Sequence, residues 1–206
     1  MQKTSMIQGQ LLPMAFPEWV ITEIERAQWE NCYSKGNSHL TFSDIGMPIS
    51  KSRNTLTPIE IARVLAELKP ICTDNVLEVG SSVMRLTSIF ARICCAVYNL
   101  EHDLTRYNED VQIVDKLGLR NVTCIPGENL DALEGQKYSL IMVNYPMDEI
   151  DQNIVNLLLD GGRMCAIIGR KAPQKIMLYT KHQSGVNAKV ISETTMLHNS
   201  NDKFCL

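Results

Sequence analysis

The sequence predicts an α/β domain, a mainly parallel sheet with helices on both faces, behind an N-terminal helical extension. Three observations carry this. From Thr57 to Tyr179, short apolar runs alternate with segments of helical periodicity, the pattern of successive strand–helix–strand units. The first of those strands ends in Glu78-Val79-Gly80 and runs straight into a helix, which is where open α/β sheets receive nucleotide-like ligands. The chain has 206 residues, 45% hydrophobic and 21% charged, enough for one full core plus an extension, divided here as residues 1–56 and 57–206.

Residues 6–33 read as one or two short helices interrupted by Pro13 and Pro17, with Trp19, Ile21 and Ile24 as apolar anchors. Residues 34–56 are a polar connection in which Met47-Pro48-Ile49 is extended. Thr57-Pro58-Ile59-Glu60 is a capping box with proline at the first helical position. The helix it opens carries Ile61, Val64, Leu65 and Leu68 on one face and stops before Pro70. Strand one is Asn75–Val79, and the next helix buries Leu86, Ile89, Phe90 and Ile93. Strand two, Ala96–Leu100, delivers Glu101 at its end; Asp103 then caps a helix with Leu104, Tyr107, Val111 and Val114 inward, closed by Gly118. Strand three is Val122–Ile125, strand four Ser139–Val143, and a helix follows near 150–159. Leu159-Asp160-Gly161-Gly162 turns into strand five, Met164–Ile168; strand six is Ile176–Tyr179, and a last strand lies within 189–206.

Composition excludes several classes of function. A net charge of −3 argues against a nucleic-acid partner, because phosphate neutralisation needs a basic face. No apolar run reaches the roughly 18 residues of a membrane span, and a signal peptide is not expected with Pro13 and Pro17 breaking the first apolar segment. The seven cysteines are odd in number and lack metal-ligand spacing, so the expectation is free thiols in a reducing cytoplasm and no metal site. The four histidines are scattered in polar contexts.

Four signals stand at the carboxyl ends of these strands: Glu78-Val79-Gly80, Glu101, Gly127-Glu128-Asn129 and Asn144. A parallel sheet projects all four to one edge, where a ligand lies across the switch point. Glu101 follows Glu78 by 23 residues, close to the roughly 20-residue spacing at which an acid meets ribose hydroxyls. A carboxylate suits that role because its two oxygens accept from both vicinal hydroxyls. Gly-x-Gly-x-x-Gly would need glycine at 82 and 85, where this chain has Ser82 and Arg85, so a dehydrogenase is disfavoured.

On these residues the chain resembles the class I S-adenosylmethionine-dependent methyltransferases, and within them the protein-L-isoaspartate O-methyltransferase family. The family's Pro-Ile-Gly-x-Gly-Gln-Thr-Ile-Ser-x-Pro is similar to Pro48 through Pro58 without a gap. Its Asn-Val-x-x-x-x-Gly-Asp resembles Asn121-Val122 with Gly127-Glu128, and its Leu-x-x-Gly-Gly-Arg resembles Leu158–Arg163. The resemblance implies a Rossmann-like fold with a seven-stranded sheet. It also implies S-adenosylmethionine as cofactor and methylation of an isoaspartyl carboxylate in a protein or peptide by a monomer or small homo-oligomer. It assigns cofactor contacts to Glu78, Gly80, Ser81, Ser82, Glu101, Glu128 and Asn129. Orientation of the acceptor carboxylate falls to Thr55 and Thr57, the latter also claimed by the capping box.

The departures sit at those same positions. The family's Glu-Val-Gly-Thr-Gly-Ser-Gly-Tyr is here Glu78-Val79-Gly80-Ser81-Ser82-Val83-Met84-Arg85, and its acceptor-site Thr and Ser become Asn54 and Leu56. Two readings therefore stand: an active carboxyl methyltransferase, and a scaffold that kept the fold with Met84 obstructing the cofactor. A third uses Ser81, Ser82 and Arg85 at a helix N-terminus to hold a different anion.

Overall fold

The computed structural model describes residues 2–33, 40–50, 53–127 and 133–196. Seven strands form one sheet: β1 (Asn75–Val79), β2 (Ala96–Glu101), β3 (Val122–Pro126), β4 (Tyr138–Met147), β5 (Leu158–Ile168), β6 (Gln174–His182) and β7 (Gly185–Thr194). Their order is β3-β2-β1-β4-β5-β6-β7. Neighbours from β3 to β5 are parallel, while β6 is antiparallel to both β5 and β7. The chain moves outward from β1 in one direction and from β4 in the other, so the switch point lies between these two adjacent strands.

Side-chain alternation splits the core across the sheet. Val76, Val97, Leu140 and Met142 face the helices α3 (Pro58–Leu68) and α4 (Arg85–Ile93) and the N-terminal segment. Leu77, Leu100, Ile141 and Val143 face the other side, where α6 (Gln152–Leu157) contributes Ile154 and Val155. Both faces of β1 and β4 are covered, which is why apolar residues fill successive positions at Val76-Leu77 and at Leu140–Val143. The Thr57 capping box forms as the sequence requires: Thr57 Oγ1 accepts from Glu60 N at 3.3 Å and Glu60 Oε2 accepts from Thr57 N at 2.7 Å. Asp103 likewise caps α5 (Leu104–Leu117), and Gly118 closes it at φ 63°.

The N-terminal extension is more irregular than expected. A short helix α1 (Gln2–Met6) passes through a π turn at Ile7–Leu11 and a 3-10 turn at Leu12–Met14 before α2 (Glu18–Arg26). Its anchor is Trp29, fully buried and stacked on Phe42 at 5.3 Å, while Trp19 is 36% exposed. Leu104 is also outside, at 50% exposure. The buried face of α5 is set by Asp110 and Ile113, because Arg106 and Asn99 give the acid partners and let it lie inward. Ile93 is half-buried at the end of α4. The helix expected over 150–159 is only Gln152–Leu157, because Leu158 already pairs with Tyr138 in the sheet. The last strand begins earlier than expected, at Gly185, since the β6–β7 hairpin turns directly after His182. No described helix is long and apolar enough to cross a membrane.

Candidate active site

The exits of β1, β2, β3 and β4 meet at one edge of the sheet. After Val79 the chain turns at Gly80, whose φ of 76° favours glycine; its N–H donates to Leu100 O at 2.8 Å. Gly127 N donates to Glu101 O at 2.8 Å, and a Cβ on Gly127 would lie 2.6 Å from His102 Cα. That close approach makes glycine obligatory at the end of β3.

Glu101 is the electrostatic centre of this edge, 1% exposed. Its Oε2 accepts from Ser81 N at 2.8 Å and from Arg53 Nη2 at 2.9 Å. Its Oε1 accepts from Asp103 N at 3.0 Å and from Arg53 Nη1 at 3.1 Å. A carboxylate offers about four lone-pair sites, and here all four are used. Arg53 Nη2 also donates to Ser81 O at 3.0 Å, joining the 53–57 segment to the loop after β1.

Glu78 lies beneath that loop and is fully buried. It accepts from the Thr87 hydroxyl and, at 2.5 Å, from Asn144 Nδ2, which also donates to Gly80 O at 3.1 Å. Burial pushes its carboxyl up to about 7, against the opposing hydrogen bonds from Thr87 and Asn144. Asp110 is raised to about 7 for the same reason, with Arg106 opposing. Glu78, expected at the cofactor, here braces the loop from inside the fold through Thr87 and Asn144.

The turn into α4 carries the divergent residues. Val83 and Met84 adopt φ of 47° and 59°, a left-handed conformation that costs non-glycine residues roughly 1–2 kcal/mol each. Both are held by burial: Val83 is 2% exposed and Met84 fully buried, packed with Cys32 and Ile113. Met84 Sδ sits 2.9 Å from Asn99 Nδ2 and 3.9 Å from Ser81 Oγ. Ser82 is 1% exposed, and its Oγ has no hydrogen-bond partner among the described residues.

Arg85 does not face this loop, which removes the basis for the anion-binding reading. It is fully buried, its guanidinium 4.1 Å from the Trp29 ring centroid. It donates to Thr55 Oγ1 and Leu56 O at 3.0 Å and to Thr41 O at 3.2 Å. Thr55 is 1% exposed and its Oγ1 also accepts from Met47 N at 3.1 Å; with Arg85 on the same oxygen it acts in this structure as an internal strut. Leu56 is fully buried in the core. Thr57 is half-buried; its hydroxyl oxygen is used by the cap, which leaves its hydrogen available to donate. Glu128 and Asn129 lie outside the described residues.

The family model described as protein-L-isoaspartate(D-aspartate) O-methyltransferase matches residues 18–199. The chain belongs to the protein-L-isoaspartate O-methyltransferase family. A protein-L-isoaspartate O-methyltransferase of Pseudomonas aeruginosa is 25% identical over 158 residues, covering 75% of this chain and 74% of that one. One from Desulfosudis oleivorans is 24% identical over 148 residues, covering 71% and 67%. A structure from Plasmodium falciparum assigned to the same enzyme, in complex with S-adenosyl-L-homocysteine, superposes with a TM-score of 0.76 at 15% identity. It covers 95% of this chain and 97% of that one.

The expected fold class is therefore the observed one, a mainly parallel, Rossmann-like methyltransferase sheet. Membership of the protein-L-isoaspartate O-methyltransferase family favours the enzymatic reading over an inert scaffold, and S-adenosylmethionine is the cofactor it assigns. The residues fit that cofactor in kind: a glycine turn at Gly80 and an acid at the end of β2 stand where the fold binds a nucleoside. One group conflicts, because Arg53 already takes the two acceptor positions that a ribose diol needs. Arg53 stands where the family has glutamine. No local pattern marks it, since its partner Glu101 lies 48 residues away.

Proposed function

We propose that this chain is an S-adenosylmethionine-dependent carboxyl O-methyltransferase acting on isoaspartyl residues of proteins and peptides. One observation carries the proposal. Within a family match over residues 18–199, Glu101 is held at the exit of β2 by the amides of Ser81 and Asp103, aimed at the turn after β1. That supports Glu101 as the ribose acceptor once Arg53 is released.

The cofactor supplies an electrophilic methyl group on a sulfonium. The acceptor is a carboxylate, already anionic at neutral pH, so the protein needs no strong general base; positioning and exclusion of water supply most of the acceleration. Backbone around Gly80 and Ser81, with the Ser82 hydroxyl, holds the amino-acid end of the cofactor, and Glu101 holds its ribose. The Thr57 hydroxyl is the group at the 53–57 segment that can donate to the acceptor carboxylate while keeping its cap. Free thiols at Cys32, Cys72, Cys94, Cys95, Cys124 and Cys165 support a reducing, cytoplasmic setting.

The test is transfer of labelled methyl to an isoaspartyl peptide and to its normal aspartyl twin. Labelling of the first alone is expected. Equal labelling of both, or labelling of neither by protein that binds the cofactor, would refute the assignment.

A further inference from the structure

We infer that Arg53 is a built-in competitor for the cofactor's ribose, a latch that holds the site shut until the nucleoside displaces it. The inference rests on the methyltransferase reading above. Its basis is the pairing at Glu101: Nη1 to Oε1 at 3.1 Å and Nη2 to Oε2 at 2.9 Å. This is the two-donor, two-oxygen pattern that a vicinal diol makes with a carboxylate. The remaining lone pairs are taken by the amides of Ser81 and Asp103, which belong to the scaffold and stay. A ribose therefore cannot bind Glu101 beside Arg53; it must take its place.

The latch has a second fastening. Arg53 Nη2 donates to Ser81 O at 3.0 Å, so the same side chain ties the loop after β1 to the segment leading into α3. The pair is buried, with side-chain exposures of 10% and 1%, so bulk salt does little to loosen it. A guanidinium makes charge-assisted bonds that a neutral diol does not match bond for bond. The cofactor gains its site only through contacts elsewhere, to the turn at Gly80–Ser82.

At Glu101 itself two donors leave and two arrive, while the bond from Arg53 to Ser81 O is lost as well. The consequence is a reduced apparent affinity: binding is weakened by the fraction of molecules with Arg53 released, so a release population of about 1% weakens it about 100-fold. Arg53 is thus a residue that sets cofactor affinity without touching the reacting atoms.

Calorimetry with S-adenosylhomocysteine on the full chain tests this, using Arg53→Gln, the family's residue at that position, and Arg53→Lys, which keeps the charge but loses the fork. Arg53→Gln should bind at least about tenfold more tightly than the unmodified protein, with Arg53→Lys between them. Millimolar guanidinium should weaken binding to Arg53→Gln and leave the unmodified protein unaffected. Circular dichroism melts confirm that each variant is folded; if Arg53→Gln is not, the Arg53→Lys comparison decides alone. Equal or weaker binding by the folded variants overturns the latch, and leaves the enzyme reading intact if the unmodified chain methylates isoaspartyl peptide. No binding by any form, with no peptide labelled, overturns both.

Discussion

Replacing Arg85 by Met tests whether a buried cation with only neutral partners holds this site together. The guanidinium is fully buried, and burial pulls its pKa below the ordinary arginine value. Among the described residues no carboxylate forms an ion pair with it. Three hydrogen bonds and the Trp29 face compensate it. Methionine is of similar length and relieves the buried charge, a gain of several kcal/mol. Against that, it orphans the carbonyls of Leu56 and Thr41 at roughly 1–3 kcal/mol each. It also forfeits a desolvated cation–π contact of about 2 kcal/mol and the bond to Thr55. The losses exceed the gain by about 2–4 kcal/mol, which for a chain of this size lowers Tm by roughly 2–4 °C per kcal/mol. Urea denaturation of Arg85→Met, with the slope unchanged, measures it. A variant as stable as the native protein would show that desolvation cancels the clamp and that the 53–57 segment is held by something else.

Three further outcomes follow from the same geometry. Burial raises Glu78 and Asp110 from 4.5 and 3.8 to about 7, so the folded state retains protons that the unfolded chain has lost across that window. Stability therefore falls as pH rises from about 4 to 7, by up to about 1.4 kcal/mol per pH unit for each group; Glu78→Gln should flatten part of the slope, and a flat native profile would refute it. Thr57→Ser should keep both cap and turnover, while Thr57→Val should cost about 1 kcal/mol of stability and about two- to tenfold in methyl transfer through the lost hydrogen bond; unchanged transfer by Thr57→Val would restrict this hydroxyl to the cap. Met84→Gly should recover roughly 1–2 kcal/mol of left-handed strain but lose roughly 2–5 kcal/mol of buried side chain, a net destabilisation in chemical denaturation that a more stable variant would contradict.

What the sequence made legible was local. The capping box at Thr57, the Asp103 cap, the Gly118 stop and the strand Asn75–Val79 all depend on residues within a few positions of one another, and all stand where they were expected. Trp19 and Leu104 were misplaced because apolarity alone does not say which face a neighbour covers. Trp29 wins the interior through a hydrogen bond from its indole to Arg85 O at 3.0 Å, a contact 56 residues away. Asp110 faces inward because Arg106 and Asn99 meet it there. The site follows the same division. The positions of Glu101 and Gly80 at strand exits were legible from spacing, whereas the contacts of Arg53 and Arg85 join segments far apart in the chain. The inward direction of Met84 has the same origin.

The divergent loop is best understood from those distant contacts. The family's motif has glycines at the positions of 80, 82 and 84, a residue that takes left-handed geometry at no steric cost. This chain has left-handed residues at Gly80, Val83 and Met84, without the glycines at 82 and 84. Something must hold a strained backbone, and the structure shows three fastenings. Asn144 bonds Gly80 O from β4. Glu101 and Arg53 grip Ser81 by its N–H and its carbonyl. Met84 is buried against Cys32 and Ile113, and its sulfur meets Asn99. Two of these act away from the Glu101 carboxylate, Asn144 through Gly80 O and Met84 through Asn99. The Arg53 fastening is the one that, on the latch reading, occupies ligand space. Where glycine is absent from this turn, Arg53 is one of the groups that fasten it, through Ser81 O, and on the latch reading the same side chain stands where the ribose binds. On the latch reading a cofactor that displaces Arg53 also breaks its bond to Ser81 O, so binding releases one fastening of the loop while Ser81 N stays on Glu101.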